Sequence, residues 1–200
     1  MSESDCLLHT EDGIQESGRI VAGVDEAGRG CLAGPVVAGA VILDENRPVH
    51  GLRDSKTLSE KRRNELFEQI REKAIAYSVG ITEAAEIDRI NILRAALLAM
   101  EKAVLSLGRK PDFLLIDGNS KTSLPIRQKA IIKGDSKCAS IAAASIVAKV
   151  TRDRIMTEIE REYPGYGFSR HKGYPTKEHF GALRNLGPCP IHRKSFKGVL

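Results

Sequence analysis

The sequence predicts an α/β fold in which a mixed β-sheet is flanked by helices. Two apolar runs rich in β-branched residues, residues 19–26 and 36–43, are joined by a glycine-rich connection, which is typical of a β-hairpin. Further along the chain, short apolar strands alternate with amphipathic helices, which is typical of parallel strands. The hairpin and the alternation together favour a sheet with both kinds of pairing.

The first half of the chain holds the hairpin, one amphipathic helix and a third strand. Thr57 and Glu60 have the spacing of a capping box, which predicts that a helix begins at Thr57. Leu66 and Ile70 then recur on one face of that helix. Residues 76–81 predict a short strand.

The second half alternates helices with short buried strands. A strong helix is predicted over residues 91–107, and short strands are predicted over residues 113–116 and 130–133. The longest helix is predicted over residues 136–162. Its first half is rich in alanine, which allows its backbone to pack closely on a sheet.

Composition excludes several classes of protein. Of the 200 residues, 42% are hydrophobic and 28% are charged, which is typical of a globular domain and not of a disordered chain. The longest apolar run, residues 141–150, is too short to cross a membrane. The 4 cysteines include no CxxC pair, so a reducing, cytoplasmic environment is expected.

Charge divides the chain into three expected regions. Residues 1–18 are acidic, unlike a signal peptide, and are expected to be a flexible N-terminal segment. Residues 19–162 are expected to form the α/β core. Residues 163–200, the C-terminal segment, carry seven Lys/Arg against one acid and six of the nine aromatic residues. This helical, basic segment indicates a nucleic-acid partner, although a solubilising tail would have the same charge.

Four carboxylates fall at the carboxyl ends of predicted strands. Asp25 and Glu26 end the first strand, Asp117 ends the strand at 113–116, and Asp135 follows the next strand. Loops at this edge of an open α/β sheet are where sites assemble. Four clustered carboxylates favour two hard divalent cations, Mg²⁺ or Mn²⁺, of the kind that catalyse phosphoryl displacement.

Ordinary structural roles remain open for the same residues. Asp135 is well placed to cap a helix, and Asp117 begins a common turn sequence. Adjacent residues on a regular strand point to opposite faces, so Asp25 and Glu26 can share a site only if the strand bends. The glycines at 28 and 30 are compatible with such a bend.

An ordered set of motifs over residues 19–197 resembles ribonuclease HII. The motifs are GVDEAGRG at 23–30, AGPVV at 33–37, DSKTL at 54–58, DGN at 117–119, GD at 134–135, SIAAASIVAKVTRD at 140–153, YPGYGFSRHKGY at 163–174 and HRKSF at 192–196. The resemblance implies a ribonuclease H-like fold. It also implies a monomeric endonuclease that cleaves RNA in RNA–DNA hybrids and cuts 5′ to ribonucleotides embedded in duplex DNA.

The resemblance also implies roles for individual residues. Asp25, Glu26, Asp117 and Asp135 would be the catalytic carboxylates, holding two Mg²⁺ or Mn²⁺ ions and leaving 5′-phosphate and 3′-OH ends. The enzyme would serve ribonucleotide removal from DNA and RNA primer removal.

Substrate contacts are expected in four places along the chain. Gly28, Arg29 and Gly30 would grip the backbone and sense the 2′-OH, which alone distinguishes a ribonucleotide. Tyr174 would recognise the RNA–DNA junction. The remaining predicted contacts are Lys56, Lys149, Arg152, His171 and Lys172.

Other interpretations of these residues stay open. Tyr174 taken alone is typical of a surface aromatic residue, and Lys149 and Arg152 are also compatible with a solvated helix face. His171 and His192 are compatible with phosphate contacts or with structural contacts, and less so with metal binding. Two departures from the family pattern are Cys31 and Pro175, which stand where proline and glycine are usual.

Two other functions and one sister family fit the sequence less well. A non-catalytic nucleic-acid-binding protein would not need four intact carboxylates, and a DNA-only nuclease would not need a 2′-OH sensor. Arg29, together with the short stretch before the first strand, argues against ribonuclease HIII.

Overall fold

The computed structural model describes residues 19–200; the predicted N-terminal segment, residues 1–18, lies outside the described residues. Five strands form one sheet with the order β3-β2-β1-β4-β5. The strands are β1 (Val21–Ala27), β2 (Val36–Ile42), β3 (Ala76–Thr82), β4 (Phe113–Asp117) and β5 (Arg127–Ile131).

The predicted mixed sheet is confirmed by its pairing. β1 and β2 form the antiparallel hairpin, and β3 continues it on the outer side of β2. β4 pairs with β1 in parallel, and β5 pairs with β4 in parallel. The carboxyl ends of β1, β4 and β5 therefore meet at one edge of the sheet.

Helices cover both faces of the sheet. They are α1 (Glu60–Lys73), α2 (Ala84–Ile90), α3 (Ile92–Leu105), α4 (Ala139–Glu162), α5 (Phe168–His171) and α6 (Lys177–Leu186), with a 3₁₀ turn at Gly134–Ser136. One core cluster joins α3 to side chains of β1, β2 and β4, including Ala22 and Val24. A second core cluster joins α1 to α4 around Val41 of β2. No helix among residues 19–200 is long and apolar enough to cross a membrane.

Close packing of α4 depends on small residues, as its alanine-rich sequence predicts. Gly23 of β1 lies directly against the Ser140 backbone, and Gly39 of β2 lies against the Ala144 carbonyl, leaving no space for a Cβ at either glycine. This contact places α4 next to the carboxyl end of β1.

Three local predictions are corrected by the structure. Ser59, not Thr57, caps α1, because the Thr57 hydroxyl is already bonded to the Asp54 carbonyl at 2.8 Å. β5 lies three residues earlier than the predicted start at residue 130. α4 begins at Ala139 after the 3₁₀ turn, so Asp135 lies in that turn and does not cap the long helix.

The predicted C-terminal helical segment is present and packs on the core. Its helices α5 and α6 are followed by residues 187–200, of which the Lys194 and Ser195 backbone N–H groups donate to Asp88 of α2, each at 2.9 Å. Ala33 and His192 form an isolated antiparallel bridge. The segment is thereby attached to the connection between β1 and β2.

Candidate active site at the carboxyl edge of the sheet

Three aspartates converge where β1, β4 and β5 end. One carboxylate oxygen from each of Asp25, Asp117 and Asp135 can be chosen so that all three lie within 4.8 Å of one another. Asp25 and Asp135 are buried, and Asp117 is half-buried. Together these three residues form the aspartate trio.

Each member of the trio is oriented by a neighbouring group. The Glu26 backbone N–H donates to Asp25 Oδ1 at 2.7 Å, and the Ser145 hydroxyl of α4 also bonds the Asp25 carboxylate. Asp117 Oδ1 accepts from the Gly134 backbone N–H at 2.7 Å. The bond to Gly134 connects the end of β4 to the turn that carries Asp135.

Electrostatics show that the trio suits cations. Burial, and then the Glu26 and Asp117 carboxylates, raise the pKa of Asp25 well above its usual range. Burial, Asp54 and Asp117 likewise raise the pKa of Asp135, although Lys56 opposes this. Close, buried carboxylates repel one another, and divalent cations with oxygen ligands relieve that repulsion. The donor set therefore fits divalent metal binding.

Glu26 lies outside the trio. β1 stays in regular register with β2 through Ala27, so the bend that would bring Glu26 round to the side of Asp25 does not occur. The Glu26 carboxylate instead accepts from Arg29 Nη1 at 3.0 Å. Burial raises the pKa of Glu26 despite Arg29, so the group is partly desolvated beside the trio.

Lys56 reaches the trio from the loop before α1. Its Nζ lies 3.5 Å from Asp135 and 4.0 Å from Asp54, while its side chain is 75% exposed. Asp54 is a charge near the site that the sequence did not predict as a site residue. Asp54 belongs to the DSKTL motif at residues 54–58. The spacing of that motif does not indicate that its loop approaches Asp135.

The glycine loop, residues 28–35, lies between the trio and the C-terminal segment. Gly28 has φ +95°, a conformation that favours glycine, and its α-carbon faces the buried Arg152 side chain. Gly30 is exposed and has open space where a side chain would be. The Arg29 side chain is 49% exposed.

Arg152 donates hydrogen bonds to this loop from the protein interior. This corrects its predicted role as a substrate contact. It is 0% exposed and donates to the carbonyls of Pro35 at 2.9 Å, Lys172 at 2.8 Å and Ala33 at 3.1 Å. A guanidinium that is buried and bonded in this way has no surface with which to meet a phosphate.

Arg193 plays a similar part from the other side. It is also 0% exposed and donates to the carbonyls of Gly34 at 3.0 Å and Arg29 at 2.9 Å. In the sequence, Arg193 counts among the basic residues of the C-terminal segment. Because Arg193 is buried, it does not contribute to a basic surface there.

Tyr174 and two lysines lie beside the loop. The tyrosine is 39% exposed, and its ring centre lies 5.5 Å from Lys149 Nζ, which also pairs with Asp153 at 2.7 Å. Lys172 Nζ donates to the Thr157 hydroxyl at 2.8 Å. Burial raises the pKa of Tyr174, and the charges of Arg152 and Lys56 act in the opposite direction.

His171 makes structural contacts, which is one of the two roles left open for it by the sequence. The residue is buried, its Nε2 lies 2.8 Å from the Tyr166 carbonyl, and its Nδ1 accepts from Gly173 N–H at 3.2 Å. Both ring nitrogens are therefore used within the protein.

Known proteins resemble this chain over nearly its whole length. The sequence profile of ribonuclease HII matches residues 22–199. The crystal structure of ribonuclease H2 from Pyrococcus horikoshii OT3 is 30% identical with a TM-score of 0.73, over 90% of this chain and 94% of that one. Ribonuclease HII in its complex with PCNA from Archaeoglobus fulgidus is 28% identical with a TM-score of 0.75, over 89% and 95%.

A more distant structure shares the fold alone. Bst-RNase HIII in complex with Mn²⁺ is 20% identical with a TM-score of 0.69, over 90% of this chain and 68% of that one. The ribonuclease H-like fold is thus confirmed. With a matching profile, matching solved structures and an acidic site at the expected sheet edge, the chain belongs to the ribonuclease HII family of endonucleases.

Proposed function

We propose that this chain hydrolyses the RNA strand of RNA–DNA hybrids and cuts 5′ to single ribonucleotides embedded in duplex DNA. The products carry 5′-phosphate and 3′-OH ends, and the activity serves ribonucleotide removal and RNA primer removal. The observation that carries the proposal is the aspartate trio, in which one carboxylate oxygen of each residue lies within 4.8 Å of the other two. The trio lies beside the glycine loop, where Arg29 and Gly30 are exposed.

The trio is proposed to hold two Mg²⁺ or Mn²⁺ ions. Glu26 lies outside the trio, but the charge of Asp117 acts on its pKa, and we propose that its carboxylate leaves Arg29 to become a further ligand. The complex of Bst-RNase HIII with Mn²⁺ supports this choice of metal. When bound, such ions supply Lewis acidity and a nucleophilic water for phosphodiester hydrolysis. Ser145 and the Gly134 N–H group orient Asp25 and Asp117 before any ion arrives.

The glycine loop is proposed to recognise the ribose. Gly30 leaves room for the backbone of a nucleic acid to approach, and Arg29 is exposed on the same loop. Arg152 and Arg193 hold the loop by five bonds to its own carbonyls and to that of Lys172. A loop held in this way loses little conformational freedom when substrate binds, which favours discrimination of a single hydroxyl group.

Tyr174 is proposed to stack at the junction between ribonucleotide and DNA. Its half-exposed ring, with Lys149 5.5 Å away, offers an aromatic surface beside a positive charge. Lys56 is proposed as a phosphate contact, since its Nζ is exposed and adjacent to Asp135. Lys172 is proposed as a further contact at the rim of the site.

The test is cleavage of a DNA duplex with one embedded ribonucleotide, set beside its all-DNA twin, with and without Mg²⁺. The proposal predicts one cut, 5′ to the ribonucleotide, only with Mg²⁺, and no cut in the twin. Equal cutting of both duplexes would indicate a DNA-only nuclease. Binding without cutting in either would indicate a non-catalytic nucleic-acid-binding protein.

The place of action is proposed to be the cytoplasm, where the chain acts as a monomer. Cys31, Cys138 and Cys189 are free thiols, which are compatible with a reducing compartment. Analytical ultracentrifugation at working concentration tests the oligomeric state, and a dimer would contradict it.

A further inference from the structure

A buried hydrogen-bond chain runs through the C-terminal segment and ends at the main chain of Tyr174. His179 lies in the first turn of α6 and His192 lies beyond that helix, and neither is more than 1% exposed. Their Nε2 atoms are 3.0 Å apart. His179 Nδ1 lies 3.0 Å from the Tyr174 carbonyl oxygen.

The groups around the two rings fix the position of each proton. The Cys189 backbone N–H donates to His192 Nδ1 at 2.9 Å, a shorter contact than the 3.3 Å from Nδ1 to the Cys189 carbonyl oxygen. We therefore assign Nδ1 as an acceptor, with the ring proton on Nε2. His192 Nε2–H then donates to His179 Nε2. The proton of His179 is thereby left on Nδ1, from which it is donated to the Tyr174 carbonyl.

Burial keeps both rings neutral, as this chain of bonds requires. Burial and the neighbouring His179 lower the pKa of His192 to about 4. Burial also lowers the pKa of His179, on which His171 stacks with ring centres 4.5 Å apart. A second proton on either ring of the pair would set two N–H groups against each other.

The main chain at Tyr174 needs such external bonds because the residues before it are in an uncommon conformation. Lys172 and Gly173 have φ values of +52° and +81°. The Tyr174 N–H donates to the His171 carbonyl at 2.9 Å, and the Tyr174 carbonyl also accepts from Thr176 N–H at 2.8 Å. The His179 side chain adds a further hydrogen bond to the Tyr174 carbonyl.

The other end of the chain of bonds is attached to the glycine loop. His192 bridges Ala33, and the Gly34 N–H donates to the Ile191 carbonyl at 2.9 Å. The loop also accepts the two bonds from Arg193, the next residue along. The histidine pair therefore connects the loop with the Tyr174 main chain.

We infer that His179 is a positioning residue for Tyr174, held in the required tautomer by His192. The inference rests on the proposed role of Tyr174 at the junction between ribonucleotide and DNA. By fixing the main chain, His179 sets where the tyrosine ring lies relative to the glycine loop. It contributes in this way to the preference for a single ribonucleotide without touching the substrate.

Two substitutions of His179 separate positioning from packing. In His179→Asn the amide nitrogen lies close to the former Nδ1, so the donor to Tyr174 is kept and the bond with His192 is removed. In His179→Gln the amide group lies close to the former Nε2, so the bond with His192 is kept and the donor to Tyr174 is removed. Both substitutions remove the His179 imidazole ring from the same buried position, so the loss of packing is similar in the two variants.

The measurement is the selectivity ratio, kcat/KM on a duplex with one ribonucleotide divided by kcat/KM on a long RNA–DNA hybrid. His179→Gln is expected to lower this ratio about fivefold, the effect of removing one hydrogen bond. His179→Asn is expected to stay within about twofold of the parent. Leu183→Val, a buried change in the same helix, is the control for loosened packing and should leave the ratio unchanged.

Thermal unfolding is recorded for every variant, and His192→Asn replaces His179→Gln if the latter does not fold. It keeps an acceptor for Cys189 N–H but removes the donor to His179, so the same fall in the ratio is expected. An unchanged ratio in the variant without the Tyr174 bond, or an equal fall in both His179 variants, would overturn the inference.

Tyr174→Ala distinguishes this inference from the proposed function. If Tyr174→Ala leaves the selectivity ratio unchanged, the proposed role of Tyr174 fails and the inference fails with it. If Tyr174→Ala lowers the ratio and His179→Gln does not, only the positioning role is overturned.

Discussion

The aspartate trio and the C-terminal segment place their charges in opposite ways. In the trio, three carboxylates of like sign face one another at a sheet edge, with oxygens close enough together to share a metal ion. In the C-terminal segment, Arg193 is buried on backbone carbonyls, and Arg170 is paired with Glu178. Like charges are brought together in the first region, whereas in the second they are buried on carbonyls or paired within the protein.

This difference separates the residues proposed for catalysis from those proposed for the selection of substrate. If the trio catalyses cleavage as proposed, changes in it should affect every substrate equally, because every cleavage would use the same carboxylates. Changes in the C-terminal segment are expected to affect stability, duplex affinity or the choice of substrate, each through a different set of contacts. Substitutions in each region test this separation.

The largest effect is expected for Asp25→Asn, which should lower kcat about a thousandfold on hybrid and on single-ribonucleotide duplex alike. Because the change removes one of several repelling carboxylates, thermal stability without metal should stay level or rise slightly. Asp44→Asn is the control, since Asp44 follows β2 at the opposite edge of the sheet. Near-normal turnover of Asp25→Asn with Mg²⁺ would remove the trio from catalysis.

Arg152→Ala is expected to destabilise the fold by about 4 kcal/mol, because it leaves three buried carbonyls without their donor and opens a cavity. The melting temperature should fall by about 10 °C. Arg161→Ala, at a largely exposed position of the same helix, should change stability by less than about 0.5 kcal/mol. Weakened duplex binding with an unchanged melting temperature would instead restore Arg152 as a phosphate contact.

Acid is expected to destabilise the protein through His192. Burial lowers its pKa from 6.5 to about 4, so below pH 6.5 the unfolded chain takes up a proton that the folded chain excludes. Its stabilising contribution is complete above pH 6.5 and is lost as the pH falls towards 4, an effect of about 3 kcal/mol. Urea unfolding of the parent and of His192→Asn at pH 7 and pH 4.5 measures it. Equal losses in both proteins would exclude His192 as the cause.

The smallest effect is expected from the exposed lysines at the end of the chain. Replacing Lys194 and Lys197 by alanine should weaken binding to hybrid and DNA duplexes by similar factors, because phosphate contacts carry no base information. The log–log salt dependence should flatten by about 0.9 for each phosphate that is no longer neutralised. The control pair is Arg109 and Lys110, before the amino end of β4. An unchanged slope would make the end of the chain a solubilising surface.

The sheet and the trio were predictable because both depend on local patterns. Apolar runs marked the strands, and the place of Asp25, Asp117 and Asp135 at strand ends is a property of sequence order and strand direction. The alternation of side chains along a strand also predicted that Asp25 and Glu26 would part unless the strand bends, and the strand stays regular.

The burial of the basic residues was not predictable from the same patterns. An arginine has the same donors for a phosphate as for a backbone carbonyl, and only the tertiary packing of the glycine loop decides between them for Arg152 and Arg193. His171, next to Lys172 in a basic motif, likewise turns inward to Tyr166. Whether such a side chain is buried depends on contacts between residues more than a hundred positions apart, or on a tight turn. Neither can be read from the composition of the chain.

The most direct measurement compares Tyr174→Ala and Asp25→Asn by their selectivity ratios, with residual activity measured at high enzyme concentration. Stacking on one base is worth about 1–3 kcal/mol, so Tyr174→Ala should lower kcat/KM on the single-ribonucleotide duplex about tenfold or more. The loss on a long hybrid should be smaller, and Tyr174→Phe, which keeps the ring, should be mildly impaired. We expect a lower ratio in Tyr174→Ala and an unchanged ratio in Asp25→Asn. Equal losses on both substrates in Tyr174→Ala would contradict a role of the C-terminal segment in the choice of substrate.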